Sequence, residues 1–192
     1  CMAPPPTATT MRVTKRNGAS EAVDLNKIVR AVTRAAEGLH AVEPMRVATR
    51  TISGLYDGAT TAELDELSIR TAALLTGEEP EYGKLAARLL ASVIAKEVAG
   101  QEIHALSQSV ARGPELDLMN DRLLGFVQAN ARKLNDALDV SLDRHFDYFG
   151  LRTLYDRYLL RHPRTRKVIE TPQQFFLRIS CALSEDVSGA LA

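Results

Sequence analysis

The sequence predicts a mainly α-helical protein that opens with a short β-hairpin. Ala, Leu, Arg and Glu dominate its 192 residues, of which 45% are hydrophobic and only 5% aromatic. Apolar residues recur at helical spacing along much of the chain. Asn17-Gly18 lies between two short runs that can pair as strands, which is a strong hairpin signal. The length suffices for one sizeable core or two small ones.

The hairpin and four helices make up the first predicted domain, residues 11–100. The strands are expected at about 11–16 and 19–24, around a two-residue type I′ turn at Asn17-Gly18. The Thr60/Glu63 pair predicts a capping box, and Pro44 suits a first helical turn. The four helices are expected at about 25–38, at 44–56, from 60 or 61 to a turn at 77–80, and at 81–98.

Two of these helices carry apolar stripes that predict the core of this domain. The first stripe comprises Ile28, Val32, Ala35 and Leu39, and the stripe of the third helix comprises Leu64, Leu67, Ala72 and Leu75.

Residues 101–192 are predicted to form a second, incomplete helical region. We expect it to be interrupted at Gly113-Pro114 and closed by Tyr148-Phe149-Gly150. A helix over 151–160, a solvated basic turn at 161–167 and a final helix from 171 to 183 should follow.

The two ends of the chain carry few structural signals. Residues 1–10 are rich in Pro, Thr and Ala without a charged leader, so they predict a disordered arm rather than a signal peptide. The last residues have neither a helix cap nor a polar tail, and we expect the chain to stop inside a larger protein.

The composition limits which partners the protein can bind and in which compartment it is expected. The net charge is zero and the pI is about 7.1, which argues against nucleic acid and against a membrane surface as partners. No apolar run approaches the roughly 20 residues of a membrane span. Cys1 and Cys181 are far apart and form no C-x-x-C motif, which excludes a structural zinc ribbon and argues against a disulfide framework. Cys181 is expected to be a buried packing residue, and the protein is expected to be cytoplasmic.

Lys15 and Arg16, beside the hairpin turn, are candidates for binding an anion. Adjacent strand residues point to opposite faces. Both side chains therefore reach one ligand only if the turn reorients Arg16 or the anion lies over the hairpin tip. The alternative is a solvated turn.

Lys96 is a further candidate because it continues the helical stripe of Leu85, Leu89 and Val93. A lysine in such a position either extends to solvent at the helix end or points into a polar pocket.

Two residues at the start of the third helix could contact a nucleotide. Thr61 lies at a helix N-terminus, where N–H groups favour phosphate. Asp65 follows four residues later on the same face and could accept a hydrogen bond from a ribose hydroxyl. Its alternative is an exposed acid favoured by the helix dipole.

Other residues are less specific on their own. Glu21, Asp24 and Lys27 flank the strand-to-helix junction and either bind a base edge or are ordinary surface residues. The four histidines show no metal-binding spacing, and the chain has no Gly-rich phosphate loop, G-x-S-x-G or H-E-x-x-H motif. We therefore expect no metal site and no catalytic residue.

Three segments resemble the ATP-cone family: Val13-Thr14-Lys15-Arg16-Asn17-Gly18, Tyr56 to Asp65, and Tyr82 to Leu89. More narrowly, the chain is similar to the N-terminus of the large subunit of aerobic ribonucleotide reductases. That similarity continues through Phe146 to Leu154, Tyr158 to Leu160 and Glu170 to Gln173, and it covers residues 11–192. The resemblance implies a β-hairpin capping a four-helix bundle, then a second helical region that stops before the catalytic α/β barrel.

In that family the cone is an allosteric site at which ATP permits turnover and dATP stops it by changing subunit assembly. The resemblance implies that ATP or dATP binds with Mg²⁺ and that Lys15, Arg16, Thr61 and Lys96 hold the triphosphate. It places Asp65 by the ribose and Glu21, Asp24 and Lys27 at the base. The remaining implied residues line the base pocket: Val23, Ile28 and Leu55.

The family's radical chemistry uses three cysteines in the barrel, so the resemblance implies that this chain alone is inactive. It also implies three partners: the rest of the large subunit, further copies of that subunit and a radical-generating small subunit. Two alternatives remain open at this point. One is a transcription regulator built on a nucleotide-sensing cone, and the other is a helical interaction module whose cone does not bind nucleotide.

Overall fold

The structure is a computed structural model that describes residues 11–15 and 18–192, apart from the side chains of Glu115 and Val140. The predicted arm at 1–10 lies outside the described residues, as do Arg16 and Asn17. The described chain is mainly helical with one small antiparallel hairpin, which confirms the predicted fold class. Within the described part, no helix is long and apolar enough to cross a membrane.

Strands β1 (Arg12–Thr14) and β2 (Ser20–Ala22) form the hairpin. The Lys15 N–H donates to the Ala19 carbonyl at 2.8 Å, so three residues connect the paired positions. The predicted type I′ turn has only two residues and would give a different register. Gly18 has a φ of 83°, the left-handed conformation that the last residue of a three-residue hairpin loop adopts.

Four helices follow the hairpin in the predicted order: α1 (Leu25–Ala35), α2 (Pro44–Ser53), α3 (Thr61–Leu75) and α4 (Glu81–Ala99). The capping box of Thr60 and Glu63 and the first-turn position of Pro44 are confirmed. Helices α1 and α2 end a few residues earlier than predicted.

The segment after α2 is not helical because it pairs with β1. The Gly58 N–H donates to the Arg12 carbonyl at 2.8 Å, and the Thr14 N–H donates to the Ala59 carbonyl at 3.0 Å. The Arg12 N–H donates to Asp57 Oδ1 at 2.8 Å. Thr14 and Thr60 thereby form a parallel bridge, which holds the hairpin beside the start of α3.

The chain divides within α4 into two compact units, residues 1–89 and 90–192. The predicted stripe of α1 is buried at Ile28 and Val32. The predicted stripe of the third helix is buried at Ala72 and Leu75 and half-buried at Leu64 and Leu67. The buried hydrophobic residues of the first unit come from the hairpin, from all four helices and from the loops between them, and include Val13, Val32, Val47, Ile69 and Leu85.

The second unit contains six shorter α-helices and a 3₁₀ helix at Val140–His145. Its core cluster is formed by Leu106, Val110, Leu123, Val127, Leu134, Cys181 and Ala190. The α-helices are α5 (Leu106–Glu115), α6 (Asp121–Ala129), α7 (Ala131–Asp136), α8 (Tyr148–Arg157), α9 (Pro172–Leu183) and α10 (Val187–Leu191).

The predicted interruption at Gly113-Pro114 was wrong, because both residues belong to α5. Pro114 lies in the last turn, and the chain leaves the helix directly afterwards. The Gly113 carbonyl accepts hydrogen bonds from the N–H groups of Leu116 and Leu118 at 3.2 and 2.9 Å. The helix break therefore follows the Gly-Pro pair.

The predicted closure at Tyr148-Phe149-Gly150 was also wrong, since these residues form the first turn of α8. Asp147 is the N-cap, and its Oδ1 accepts a hydrogen bond from the Gly150 N–H at 2.8 Å. Capping by Asp147 moves the helix to 148–157, three residues earlier than the predicted 151–160.

The basic segment 161–167 is a turn as predicted, but Arg161 is half-buried and packs against the protein. Its guanidinium lies 4.5 Å from the centre of the Tyr155 ring and donates to the carbonyls of Tyr155 and Arg166 at 2.6 and 2.9 Å. Arg161 also pairs with Val168 in an antiparallel bridge. The residues of the turn from 163 to 167 are exposed.

Candidate functional site

The hairpin brings Lys15 and Glu21 together. Glu21 is opposite Val13 in the strand register, and Lys15 is two residues after Val13 along the same strand. Diagonal neighbours of this kind lie on the same face of a hairpin and are within reach of long side chains. The Lys15 Nζ lies 2.7 Å from Glu21 Oε2, and the two side chains are 43% and 32% exposed.

Glu21 also contacts Lys27 on α1. The Lys27 Nζ lies 3.4 Å from Glu21 Oε1, so one carboxylate lies between two ammonium groups. The hydrogen bond from Lys15, followed by that from Lys27, lowers the pKa of Glu21 below its ordinary value. The carboxylate is therefore ionised at neutral pH, and the Lys15–Glu21–Lys27 cluster is a charged chain that links the hairpin to α1.

Asp24 caps α1 at the junction between β2 and the helix. Its Oδ1 accepts a hydrogen bond from the Asn26 N–H at 3.0 Å, and its Oδ2 lies 3.4 Å from an Nη of Arg30. Both oxygens are therefore engaged within the chain. The predicted contact of Asp24 with a nucleotide base stays a prediction.

The N-terminus of α3 carries the reciprocal hydrogen bonds of a capping box. The Thr60 N–H donates to Glu63 Oε2 at 2.7 Å, and the Glu63 N–H donates to Thr60 Oγ1 at 3.1 Å. The Tyr56 hydroxyl donates to the other oxygen of Glu63 at 2.8 Å. The bond from the Thr60 N–H is the main reason why the pKa of Glu63 is lowered.

Thr61 is the first residue of α3, and its backbone amide is one of those that an incoming phosphate could take. Asp65 lies four residues further along the same helix, about 6 Å along its axis. Both residues are half-buried. The parallel bridge between Thr14 and Thr60 places this helix start next to the strand that precedes Lys15.

The predicted lining of the base pocket comes from three places in the first unit. Ile28 on α1 is buried at 4% exposure. Val23, after β2, and Leu55, after α2, are half-buried. Their contact with a base stays a prediction.

The structure does not bring two of the predicted phosphate ligands, Lys96 and Arg16, together with Lys15 and Thr61. Lys96 lies on α4 about two turns beyond Leu89, in the second unit, and it is exposed. The stripe that it continues is buried at Leu85 and Leu89 and half-buried at Val93. Arg16 lies outside the described residues. The roles of Lys96 and Arg16 in phosphate binding stay predictions.

Sequence reasoning missed the connection that assembles this site. Asp57, Gly58 and Ala59 lie between the second and third predicted helices, yet they hydrogen-bond to β1. The Asp-Gly pair signals a turn, but no local pattern shows which distant strand a turn will contact. Tyr56 was likewise missed as the partner of Glu63.

The described residues include no group of three or more His, Cys, Asp or Glu side chains that could hold a metal ion. Magnesium commonly binds through substrate phosphates together with one or two carboxylates.

The second unit has an apolar cavity of about 510 Å³. Phe149 and Tyr158 there are 72% and 60% exposed. The lining contains no charged residue, so the cavity is unsuited to a triphosphate. The lining residues are Phe146, Phe149, Gly150, Thr153, Leu154, Tyr158 and Phe176.

Buried polar groups in the second unit have structural partners. Glu170 is fully buried, forms two hydrogen bonds with the Arg178 guanidinium at 2.8 and 3.0 Å and accepts one from the Leu160 N–H at 2.8 Å. Cys181 is 3% exposed, and burial raises the pKa of its thiol. The prediction of a buried packing cysteine is confirmed.

Comparison with known families finds two domains that match parts of the chain. The ATP cone domain matches residues 11–112, and the all-alpha domain of ribonucleotide reductase matches residues 144–189. The first match covers the hairpin, α1 to α4 and most of α5, and the second runs from the end of the 3₁₀ helix through α8 and α9 into α10.

Several curated proteins are similar to nearly the whole chain. The ribonucleoside-diphosphate reductase large subunit of Caenorhabditis elegans is 35% identical over 187 residues, which covers 93% of this chain and 24% of that protein. The Danio rerio large subunit is 34% identical over 189 residues, covering 94% and 24%. Large chain 2 of Saccharomyces cerevisiae is 33% identical over 189 residues, covering 94% and 22%. The chain thus spans about a quarter of the length of the curated relatives that it matches.

Proposed function

Because this chain belongs to the ATP-cone family, we propose that it is the nucleotide-sensing N-terminal part of a ribonucleoside-diphosphate reductase large subunit. ATP bound at the cone activates the reductase, and dATP inhibits it. The observation that carries the proposal is the Lys15–Glu21–Lys27 cluster, held beside the start of α3 by the bridge between Thr14 and Thr60.

The phosphate end of the nucleotide lies at the hairpin and the start of α3. Lys15 supplies an ammonium group at the end of β1, and the first amides of α3 supply N–H donors. Arg16 and Lys96 add two further cations. Charge-assisted contacts of this kind are stronger than neutral hydrogen bonds, which suits a ligand with several negative charges. Mg²⁺ enters with the nucleotide, held by the phosphates.

The base and ribose lie towards α1 and the first turns of α3. Glu21, Asp24 and Lys27 offer acceptors and a donor to the base edge, and Val23, Ile28 and Leu55 cover its apolar faces. Asp65 accepts hydrogen bonds from ribose hydroxyls. An ionised carboxylate is an acceptor only, so it distinguishes a sugar that lacks one hydroxyl.

The larger protein supplies the chemistry. Reduction of the ribose takes place in a barrel that lies beyond this segment, and neither Cys1 nor Cys181 takes part. The partners are the rest of the large subunit, other copies of it and a radical-generating small subunit. We also propose that the protein is cytoplasmic.

The reductase is favoured over the two alternatives by separate observations. The similarity of residues 144–189 to the all-alpha domain of ribonucleotide reductase supports a reductase over a cone-type transcription regulator. Lys15 and Lys27, the two cations that pair with Glu21, support a cone that binds nucleotide over an interaction module that does not.

Thermal unfolding of the chain with and without Mg·ATP tests the proposal. A ligand that binds only the folded state stabilises it by about 2.7 kcal/mol at a concentration one hundred times its Kd. We therefore expect ATP and dATP to raise the Tm by several degrees and CTP to raise it much less. An unchanged Tm with millimolar ATP and dATP would favour the interaction module.

A further inference from the structure

Glu21 has a role that nucleotide binding by itself does not explain. A carboxylate repels phosphate, yet this one lies 2.7 Å from the lysine that is proposed to hold the triphosphate. The carboxylate is also close to Lys27, so it is shared between two cations on different elements.

We propose that Glu21 is an internal stand-in for phosphate, which occupies Lys15 in the nucleotide-free chain and is displaced from it by the incoming triphosphate. The inference rests on the proposed function, since it assumes that the triphosphate reaches Lys15. It adds a mechanism by which the site binds anions that lack a base less tightly.

Strand geometry places Glu21 beside Lys15. The register sets Glu21 opposite Val13, which is 5% exposed, and Lys15, directly after β1, is the next residue on that face. Val13 thereby anchors the face on which both charged side chains lie.

The pair is suited to exchange because it is accessible to solvent. Lys15 is 43% exposed and Glu21 is 32% exposed. Ion pairs with this exposure are weak because water and salt screen them. A triphosphate carries more charge than one carboxylate and can therefore replace it at Lys15.

Lys27 gives the displaced carboxylate a second partner. It lies 3.4 Å from the other oxygen of Glu21, so the carboxylate can turn away from Lys15 and remain paired with a cation. Glu21 and Lys27 then present an acceptor and a donor side by side. A nucleotide offers a base to this pair, whereas an inorganic polyphosphate displaces Glu21 without any such compensating contact.

Isothermal titration with sodium tripolyphosphate in the presence of Mg²⁺ tests this exchange, since that probe has neither a base nor a ribose. We expect Glu21→Gln to bind tripolyphosphate about two- to fivefold more tightly than the wild type, in line with the weakness of exposed ion pairs. ATP should gain less, because Glu21→Gln also alters the proposed base contact. Glu37→Gln is the matched control: it removes one exposed acid from the same unit and should change neither affinity.

A double-mutant cycle assigns the effect to Lys15. In the Lys15→Ala background, Glu21→Gln should strengthen tripolyphosphate binding less than it does in the wild type, because Lys15 is absent and only Lys27 remains for Glu21 to neutralise. Circular dichroism of each variant establishes that the helices are retained.

Tripolyphosphate affinity that is equal in wild type and Glu21→Gln would overturn the inference, as would an equal gain in the Lys15→Ala background. If wild type nevertheless binds ATP and Lys15→Ala weakens that binding, the proposed function survives and only the exchange fails. If wild type binds neither ATP nor dATP, both fail.

Discussion

Lys15 is the residue on which phosphate binding depends most directly. A hydrogen bond to a charged group contributes about 1.5–3 kcal/mol, so Lys15→Ala should weaken ATP binding by roughly tenfold or more. Calorimetric titration measures the change, and Lys84→Ala, which removes an exposed cation of α4 outside the proposed site, is the control. Equal affinities for ATP in wild type and Lys15→Ala would show that the phosphate site is misplaced.

Lys96 tests whether the proposed site extends along α4. We expect Lys96→Ala to weaken ATP binding by about tenfold, for the same reason as at Lys15. The titration is again compared with Lys84→Ala. An unchanged affinity for ATP would mean that the exposed Lys96 is an ordinary solvated lysine, as its position at the end of an apolar stripe also allows.

Asp65 is the residue proposed to distinguish ATP from dATP. Asp65→Asn preserves the size of the side chain, but it removes the charge and replaces one acceptor oxygen with a donor. We expect triphosphate binding to persist and the ratio of ATP to dATP affinities to change. In a longer protein that contains the barrel, dATP should no longer inhibit normally. The role of Asp65 is refuted if both the affinity ratio and the inhibition by dATP are as in the wild type.

At the scale of single elements, Glu81 joins the start of α4 to the loop before α2. Its Oε2 accepts hydrogen bonds from the N–H groups of His40 and Ala41 at 2.9 and 2.8 Å. These two bonds lower the pKa of Glu81 below its ordinary value of 4.5, and the bond from Ala41 has the larger effect. A lowered pKa in the folded state means that the carboxylate stabilises the fold above pH 4.5 and that this stabilisation is lost as the pH falls through the folded pKa.

We therefore expect Glu81→Gln to lower the free energy of unfolding at pH 7 and to have a progressively smaller effect below pH 4.5. Urea denaturation at pH 7, 5 and 3.5 measures this. A difference between wild type and Glu81→Gln that does not depend on pH would contradict the assignment.

Two glycines, one in α5 and one in α6, provide a paired test of how tightly these helices pack. A Cβ on Gly113 would lie 2.5 Å from Cγ of Met119, whereas a Cβ on Gly125 in α6 would meet nothing within 4 Å. We expect Gly113→Ala to destabilise the chain by about 1–3 kcal/mol through overpacking. Gly125→Ala should stabilise it by about 0.5–1 kcal/mol through helix propensity. Urea denaturation that ranks the two variants in the opposite order would contradict this packing.

Elements whose signals are local were predictable from the sequence. The capping box at Thr60 and the cap-forming Thr171-Pro172 start of α9 each lie within four residues, and both helices begin where predicted. Local patterns gave wrong helix ends where a single residue determined the position of the end. Asp147 starts α8, although Phe149 and Gly150 are residues that predict a helix end here. Helix α5 accommodates Pro114 because the helix ends one residue later.

The site was predictable only in part, because its geometry depends on pairing between distant segments. The sequence shows that Lys15, Glu21 and Lys27 are charged, but the ion pairs depend on a three-residue hairpin loop where a two-residue loop was predicted. The approach of the hairpin to α3 depends on hydrogen bonds between residues about 45 positions apart.

At the scale of the whole molecule, this chain corresponds to a quarter of its reductase relatives and should have no reductase activity. Cys181 is buried, the pKa of its thiol is raised, and Cys1 lies 180 positions away in the sequence. We expect no deoxynucleotide from the purified chain with a radical-generating small subunit and a thiol reductant. Formation of deoxynucleotide would refute the assignment of the chemistry to a barrel outside this segment.

The central claim is that this chain binds ATP and dATP at the hairpin and the start of α3. Calorimetric titration of the chain with Mg·ATP and with Mg·dATP tests it most directly. We expect saturable binding of both nucleotides, weakened roughly tenfold by Lys15→Ala and unaffected by Lys84→Ala. Absence of heat from either nucleotide, or binding that Lys15→Ala leaves unchanged, would contradict it.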